Sequence, residues 1–225
     1  MIVLVHGGGF DARCWDLLLP HLAHDAVAVD LPGRGSAPSS LQDVGIADSV
    51  ARVVDELVSR DLRDVVLVGH SLAGITLPGV AAAVPDRLRR LVFVSCTVPP
   101  DGTSVLSTLD IDVPATGGEP QALDPATADL LFGDDMDESQ RAWMHERLVA
   151  EAPAVITEPV DLAGLRHPIP RTWVRLLRDG IVPPEKQDRF IAVVGGCDVV
   201  DLDAGHMAMI SQPVELAAVL DRLVG

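Results

Sequence analysis

The chain has 225 residues, 48% of them hydrophobic, and a mean hydropathy of +0.30, enough for one domain with a full core and too apolar for disorder. Seventeen Lys and Arg against thirty-three Asp and Glu give a net charge of -16, which excludes nucleic acid and anionic membrane as partners, since both would be repelled and no basic stripe is present. Cys14, Cys96 and Cys197 are odd in number and lack the CxxC spacing of a zinc site, so they read as reduced thiols. Met1 leads directly into an apolar strand and no apolar run is long enough to span a bilayer, so the expectation is a soluble, cytoplasmic protein, monomeric or homodimeric.

In chain order, the first predicted strand is Ile2–Val5, and it runs straight into His6, Gly7, Gly8, Gly9 and Phe10. Glycine turns after a strand present backbone N–H groups to negative charge, whether standing or formed during a reaction. A strand over Ala26–Asp30, a helix over Val44–Arg60, a strand over Val65–Val68, a helix over Leu72–Val84 and a strand over Leu91–Ser95 follow. The alternation then breaks between Pro99 and Pro170, where Pro, Gly and acidic residues separate helical stretches, the clearest being Glu138–Ala150. It resumes with strands over Thr172–Leu177 and Asp198–Leu202 and a closing helix over Val214–Val224. Apolar strands alternating with helices predict an α/β fold with a parallel sheet covered on both faces. The expected organisation is a core of residues 1–102 and 168–225 with a helical lid of 103–167 inserted in it.

The sharpest chemical signal is "VVLVGHSLAG". A strand ends at Gly69, Ser71 follows, and Ala73 and Gly74 are small enough for strand and helix to pack closely around a strained turn that exposes the serine hydroxyl. The N–H of Leu72 at the start of the helix can donate to an oxygen that gains charge when Ser71 attacks a carbonyl. Serine needs a base, held in the right tautomer by an acid. His206, after the last strand and Gly205, is the predicted base, and Asp179, in a loop after the preceding strand, is the predicted acid. The order Ser, Asp, His results. Asp201 and Asp203 are the rival acids. His6 and His70 read as structural. His21 and His24 lack a third metal ligand, while His145 and His167 carry no assignment. The acidic run Asp134, Asp135, Asp137 and Glu138 lacks the spacing of a calcium loop and is expected to start a lid helix. The turn His6–Gly9, at the same sheet edge as Ser71, would supply the second half of an oxyanion hole. The sequence lacks both the spaced glycines of a dinucleotide fold and the Gly-Lys-Ser/Thr of a phosphate loop.

With those residues in view the chain resembles the α/β-hydrolase superfamily, and within it the small esterases related to plant methyl esterases and hydroxynitrile lyases. The resemblance is carried by "LVHGGGFDARCW", with its Trp15, by "AVDLPGRGSAP", and by the nucleophile, acid and histidine segments "GHSLAG", "RDGIVPPEKQ" and "AGHMAMISQP". It implies an α/β-hydrolase fold, a triad of Ser71, Asp179 and His206, and Gly8 and Leu72 as oxyanion donors. This chain departs from the group in carrying Phe10 where a histidine is usual. It also has Gly7 and Met207 where the lyases of the group carry threonine and lysine. Without that lysine there is no charge to receive cyanide. The expected function is therefore a cofactor-free serine hydrolase of a small, largely apolar carboxylic ester. Phe10, Trp143, Met144 and Met207 are placed at the substrate, and Leu130, Phe132 and Leu148 also point to an apolar lid. The alternatives are a carbon–carbon lyase or other non-hydrolytic catalyst on the same scaffold, or a ligand-binding protein with little turnover.

Overall fold

Six strands form a single all-parallel sheet in the computed structural model, which describes residues 1–109 and 119–225. The lid expected over 103–167 thus includes positions, 110–118, that lie outside the described residues. The strands are β1 (Ile2–Val5), β2 (Ala26–Val29), β3 (Val65–His70), β4 (Leu88–Val94), β5 (Arg171–Leu176) and β6 (Cys197–Leu202), in the order β2-β1-β3-β4-β5-β6.

Alternate residues of the central strands supply two cores. Ile2, Leu4, Val66, Val68, Val92 and Val94 face one side. Val3, Val5, Val65, Leu67, Leu91 and Phe93 face the other. Burial on both faces explains why these strands read as continuous apolar runs rather than alternating patterns. The first face is covered by α8 (Pro213–Val224) through Leu216, Ala217 and Leu220. The second is covered by α1 (Ile46–Ser59) through Val53 and Leu57, by α2 (Leu77–Ala83) through Leu77, Val80 and Ala81, and by α6 (Pro184–Val194) through Phe190 and Val194.

Element boundaries differ from the sequence expectation in places that have local causes. β3 runs on through Gly69 and His70, which pair with Phe93 and Val94. The helix expected over Leu72–Val84 is two pieces, a 3-10 turn over Ser71–Ile75 and then α2. Pro78 lacks the N–H that a continuous helix would use and sits instead in the first turn of α2. The insertion between β4 and β5 holds α3 (Pro125–Phe132), α4 (Glu138–His145), α5 (Pro153–Thr157) and a 3-10 turn over Ala163–Arg166. α4 is shorter than the expected Glu138–Ala150. Its start is defined by Asp137, whose Oδ1 accepts the Gln140 N–H at 2.8 Å while Gln140 Oε1 accepts the Asp137 N–H at 2.9 Å. No helix among the described residues is long and apolar enough to cross a membrane.

Candidate active site

Parallel strands deliver every following loop to one edge of the sheet, so the turns after β1, β3, β4, β5 and β6 meet there. The strand order reverses between β1 and β3, which opens a crevice between the glycine turn after β1 and Ser71 after β3. Ser71 has φ +52, a left-handed conformation that costs a non-glycine residue energy and is held by its surroundings. The Ser71 carbonyl accepts the Thr97 N–H at 2.9 Å. A Cβ at Gly69 would lie 2.6 Å from Leu77 and 3.2 Å from the Ala73 methyl, and one at Gly74 would lie 2.5 Å from the Thr97 carbonyl oxygen. Only glycine permits this approach at 69 and 74, and with glycine at 69 the Ala73 methyl is accommodated.

His206 follows β6 on the short 203–207 segment ahead of α7 (Ala208–Ser211). Its Nε2 lies 2.9 Å from Ser71 Oγ and its Nδ1 2.7 Å from Asp179 Oδ2. A carboxylate can only accept, so Nδ1 carries the proton and Nε2 is free to receive one from the serine hydroxyl. Asp179 is buried and accepts further bonds from Ser95 Oγ at 2.5 Å and from the Ile181 and Val182 N–H groups at 2.9 and 2.8 Å. Burial by itself would raise its pKa. The opposing charge and hydrogen bond of His206, with the donors from Ser95 and Val182, outweigh burial and hold it below the usual carboxylate value. The rival acids are engaged elsewhere, Asp201 with Arg175 and Asp203 with Arg178, each at 2.8 Å. Ser95, just after β4, donates to Asp179, a contact that was not anticipated. Its positive φ of +41 is a property of the folded turn that no local sequence signal reveals.

The glycine turn is pressed against the serine. A Cβ at Gly7 would fall 2.9 Å from Ser71 Cβ, and one at Gly8 would fall 3.0 Å from the Leu72 side chain. Gly9, at φ +75, has its N–H taken by Glu151 Oε2 at 3.1 Å. Glu151 in turn pairs with buried Arg34. His6 is structural, as expected: its Nε2 accepts the Leu31 N–H at 3.1 Å, which leaves the Nδ1–H to donate to the Gly7 carbonyl at 2.9 Å. A cavity of about 10 Å³, room for roughly one water, lies beside Gly7 and Leu72 and is also lined by Arg34 and Glu151.

The flanks of the site are apolar. Phe132, at the end of α3, stacks on the His206 ring at 5.6 Å, and Phe10 meets Phe132 edge-on at 5.4 Å. Met144 and Met207 are fully buried in the same cluster, with Trp143 and Leu148 packed partly buried against it. Trp143 also stacks under the Arg147 guanidinium at 3.6 Å. Leu130 is 79% exposed and contributes nothing to this cluster, a correction to the sequence reading. His145 ties α4 to α3 through Asp129 at 2.7 Å, and His24 pairs with Asp221 at 2.9 Å. Among the described residues no group of three or more His, Cys, Asp or Glu is arranged to hold a metal ion. Cys14, Cys96 and Cys197 are free thiols, the first two buried.

His70, next to the serine, donates from Nε2 to the His206 carbonyl at 2.8 Å. Burial and the neighbouring His206 lower its pKa to about 3, and burial with Arg34 nearby lowers that of His6 to about 4. Both are neutral in the folded protein at pH values where an unfolded chain, titrating near 6.5, takes up protons. Stability is therefore expected to be flat above about pH 6.5 and to fall as pH drops toward about 4. Asp179 adds to the same loss at still lower pH, as its depressed folded value is approached. His70→Gln keeps a donor for the His206 carbonyl and should flatten the slope. Thermal midpoints measured by fluorimetry between pH 4 and 8 check this, and an unchanged slope in the variant would assign the acid sensitivity to other groups.

The parallel sheet and the turns that meet at its edge match those of a hydrolase family, as comparison with known proteins shows. Residues 2–219 match the model of the alpha/beta hydrolase family, to which this chain belongs. It is 30% identical to a carbendazim hydrolyzing esterase of Nocardioides sp., over 98% of each chain. It is 28% identical to the probable esterase PIR7A of rice, over 98% of this chain and 95% of that one. Among solved structures, an extracellular alpha/beta-hydrolase from a Paenibacillus species superposes with a TM-score of 0.88 at 23% identity, over 98% of this chain and 97% of that one. The expected alpha/beta-hydrolase family is thereby met, and Methylesterase 17 of Arabidopsis thaliana is among the relatives, 22% identical over 97% of this chain and 89% of that one.

Proposed function

We propose that the protein cleaves a small, largely apolar carboxylic ester through an acyl-enzyme on Ser71. Its esterase relatives, aligned over nearly the whole chain, make it a carboxylic ester hydrolase. The observation that carries the mechanism is the continuous hydrogen-bonded chain from Ser71 Oγ through His206 to Asp179. Ser71 attacks the ester carbonyl as His206 Nε2 takes the hydroxyl proton, and Asp179 holds the imidazolium that forms. The N–H groups of Gly8 and Leu72 receive the oxyanion, a choice supported by the engagement of the Gly9 N–H with Glu151. His206 then returns its proton to the leaving alkoxide, and water hydrolyses the acyl-enzyme by the reverse proton path.

No step draws on a cofactor. Phe10, Phe132, Met144 and Met207 supply apolar surroundings for the acyl or alcohol group, with Trp143 at their margin, and residues 103–167 act as the lid that carries three of these five. The three free cysteines support a reducing, cytoplasmic setting. A fluorophosphonate probe should label Ser71 one-to-one. A panel of p-nitrophenyl and methyl esters should show turnover falling as the acid becomes charged or bulky. Absence of labelling in folded protein would reject the serine mechanism, and preference for charged acids would reject the apolar substrate.

A further inference from the structure

The acidic run expected to start a lid helix divides in the structure. Asp137 does cap α4, but Asp134 and Asp135 point back toward the site. The side chain of Asp135 is buried, 1% exposed, and its Oδ2 accepts the Gly205 N–H at 2.6 Å and the Ser211 hydroxyl at 2.8 Å. Gly205 immediately precedes His206 and Ser211 ends α7, so one lid oxygen grips the histidine segment from both sides. A Cβ at Gly205 would lie 2.5 Å from Asp135 Oδ1, so the approach requires glycine there. Oδ1 itself is buried with no hydrogen-bond partner among the described residues, and the Arg178 guanidinium stands 3.8 Å from Oδ2.

The neighbouring contacts make the grip stiff. Arg141 on α4 donates to the Met136 carbonyl at 2.7 Å and holds the 133–136 turn, while Gln140 Nε2 donates to the Ile210 carbonyl in α7 at 3.0 Å. Asp134 Oδ2 sits 2.8 Å from where a Cβ on Gly180, the residue after Asp179, would be. Adjacent lid carboxylates thus touch the glycines beside the candidate acid and the candidate base.

We propose that Asp135 is a positioning residue for His206, so that the base is aligned with Ser71 only while the lid is seated on the histidine segment. The proposal rests on the reading of His206 as the base. Without the Asp135 acceptor the Gly205 amide is released, the segment gains freedom and the Nε2–Oγ alignment loosens. Misplacement of a reacting group by about 1 Å costs on the order of 10²-fold in rate.

The test measures kcat and KM on a p-nitrophenyl ester, with active sites counted by fluorophosphonate titration taken to completion, so that unfolded protein is not scored. Asp135→Ala is expected to lower kcat per titrated site by about 10- to 100-fold with KM within about threefold of the parent. Asp135→Asn keeps an acceptor oxygen for Gly205 and should recover most of the loss. If Asp135→Ala does not fold, Gly205→Ala carries the test, since its methyl displaces the carboxylate without removing it and should lower kcat in the same way. An unchanged kcat per titrated site in whichever of these two variants is read, accompanied only by a lower melting temperature, would overturn the proposal. His206→Ala separates the two levels. If it is inactive while Asp135→Ala is fully active, the positioning role alone falls. If it is fully active, the base assignment falls and the proposal with it.

Discussion

Replacing Ser71 by alanine is expected to lower kcat on a small ester by about 10⁴-fold or more while the protein remains folded. The hydroxyl is the only atom removed, and without it no acyl-enzyme can form. Alanine pays the same backbone cost as serine at φ +52, so the strained turn neither gains nor loses much. The carbonyl of residue 71 still accepts the Thr97 N–H, and the packing of Gly7 against the Cβ is unchanged. Any residual hydrolysis would come from the oxyanion donors and from binding. Steady-state kinetics with a thermal melt on the same preparation check both halves. Near-native turnover in folded Ser71→Ala would show that the reaction does not pass through this serine.

Asp179→Asn is expected to cost a comparable factor, about 10⁴ in kcat, through the tautomer of His206 rather than through folding. Asp179 Oδ1 accepts two backbone N–H groups, those of Ile181 and Val182, while Oδ2 faces His206 Nδ1 and Ser95 Oγ. An asparagine has one acceptor oxygen, and the two fixed amides will claim it. Its NH₂ then faces Nδ1, which must become the acceptor, and the proton moves to Nε2, where it blocks transfer from Ser71. Asp203→Asn should change kcat by less than about threefold, since that side chain is 78% exposed and pairs with the surface Arg178. Parallel kinetics on the two variants decide between the acids, and the reverse ranking would move the acid role to Asp203.

What the sequence determined by itself is the part written in short-range terms. β1, β2, β3 and the Leu91–Val94 half of β4 are apolar runs, whereas β5 and β6 mix Arg171, Arg175, Asp198 and Asp201 among apolar residues, and each of the five loops that meet at the site directly follows one of these strands. Ser71, Asp179 and His206 could therefore be selected from their places after strands, and the glycines of the turn after β1 from their density, without any knowledge of contacts. Small residues at 69, 73 and 74 made the strained serine turn legible for the same reason. Helix ends were less secure, as at Pro78 and after His145, because a terminus depends on which backbone groups find partners outside the helix.

Only the tertiary structure decided which distant groups share a hydrogen bond. Ser95 reaches Asp179 because β4 and β5 are neighbours in the sheet, although 84 residues separate the pair in sequence. Phe132 reaches His206, and Asp135 the glycine before it, because the insertion folds back over the sheet edge that carries them. In the sequence Asp135 and Asp137 are alike, two members of an acidic run expected to start a helix, yet only Asp137 caps it. A cap is a bond across three residues and leaves its mark in their spacing. The Asp135 bond spans 70 residues, and its existence depends on how the packed layers of the fold bring the lid and the last loop together.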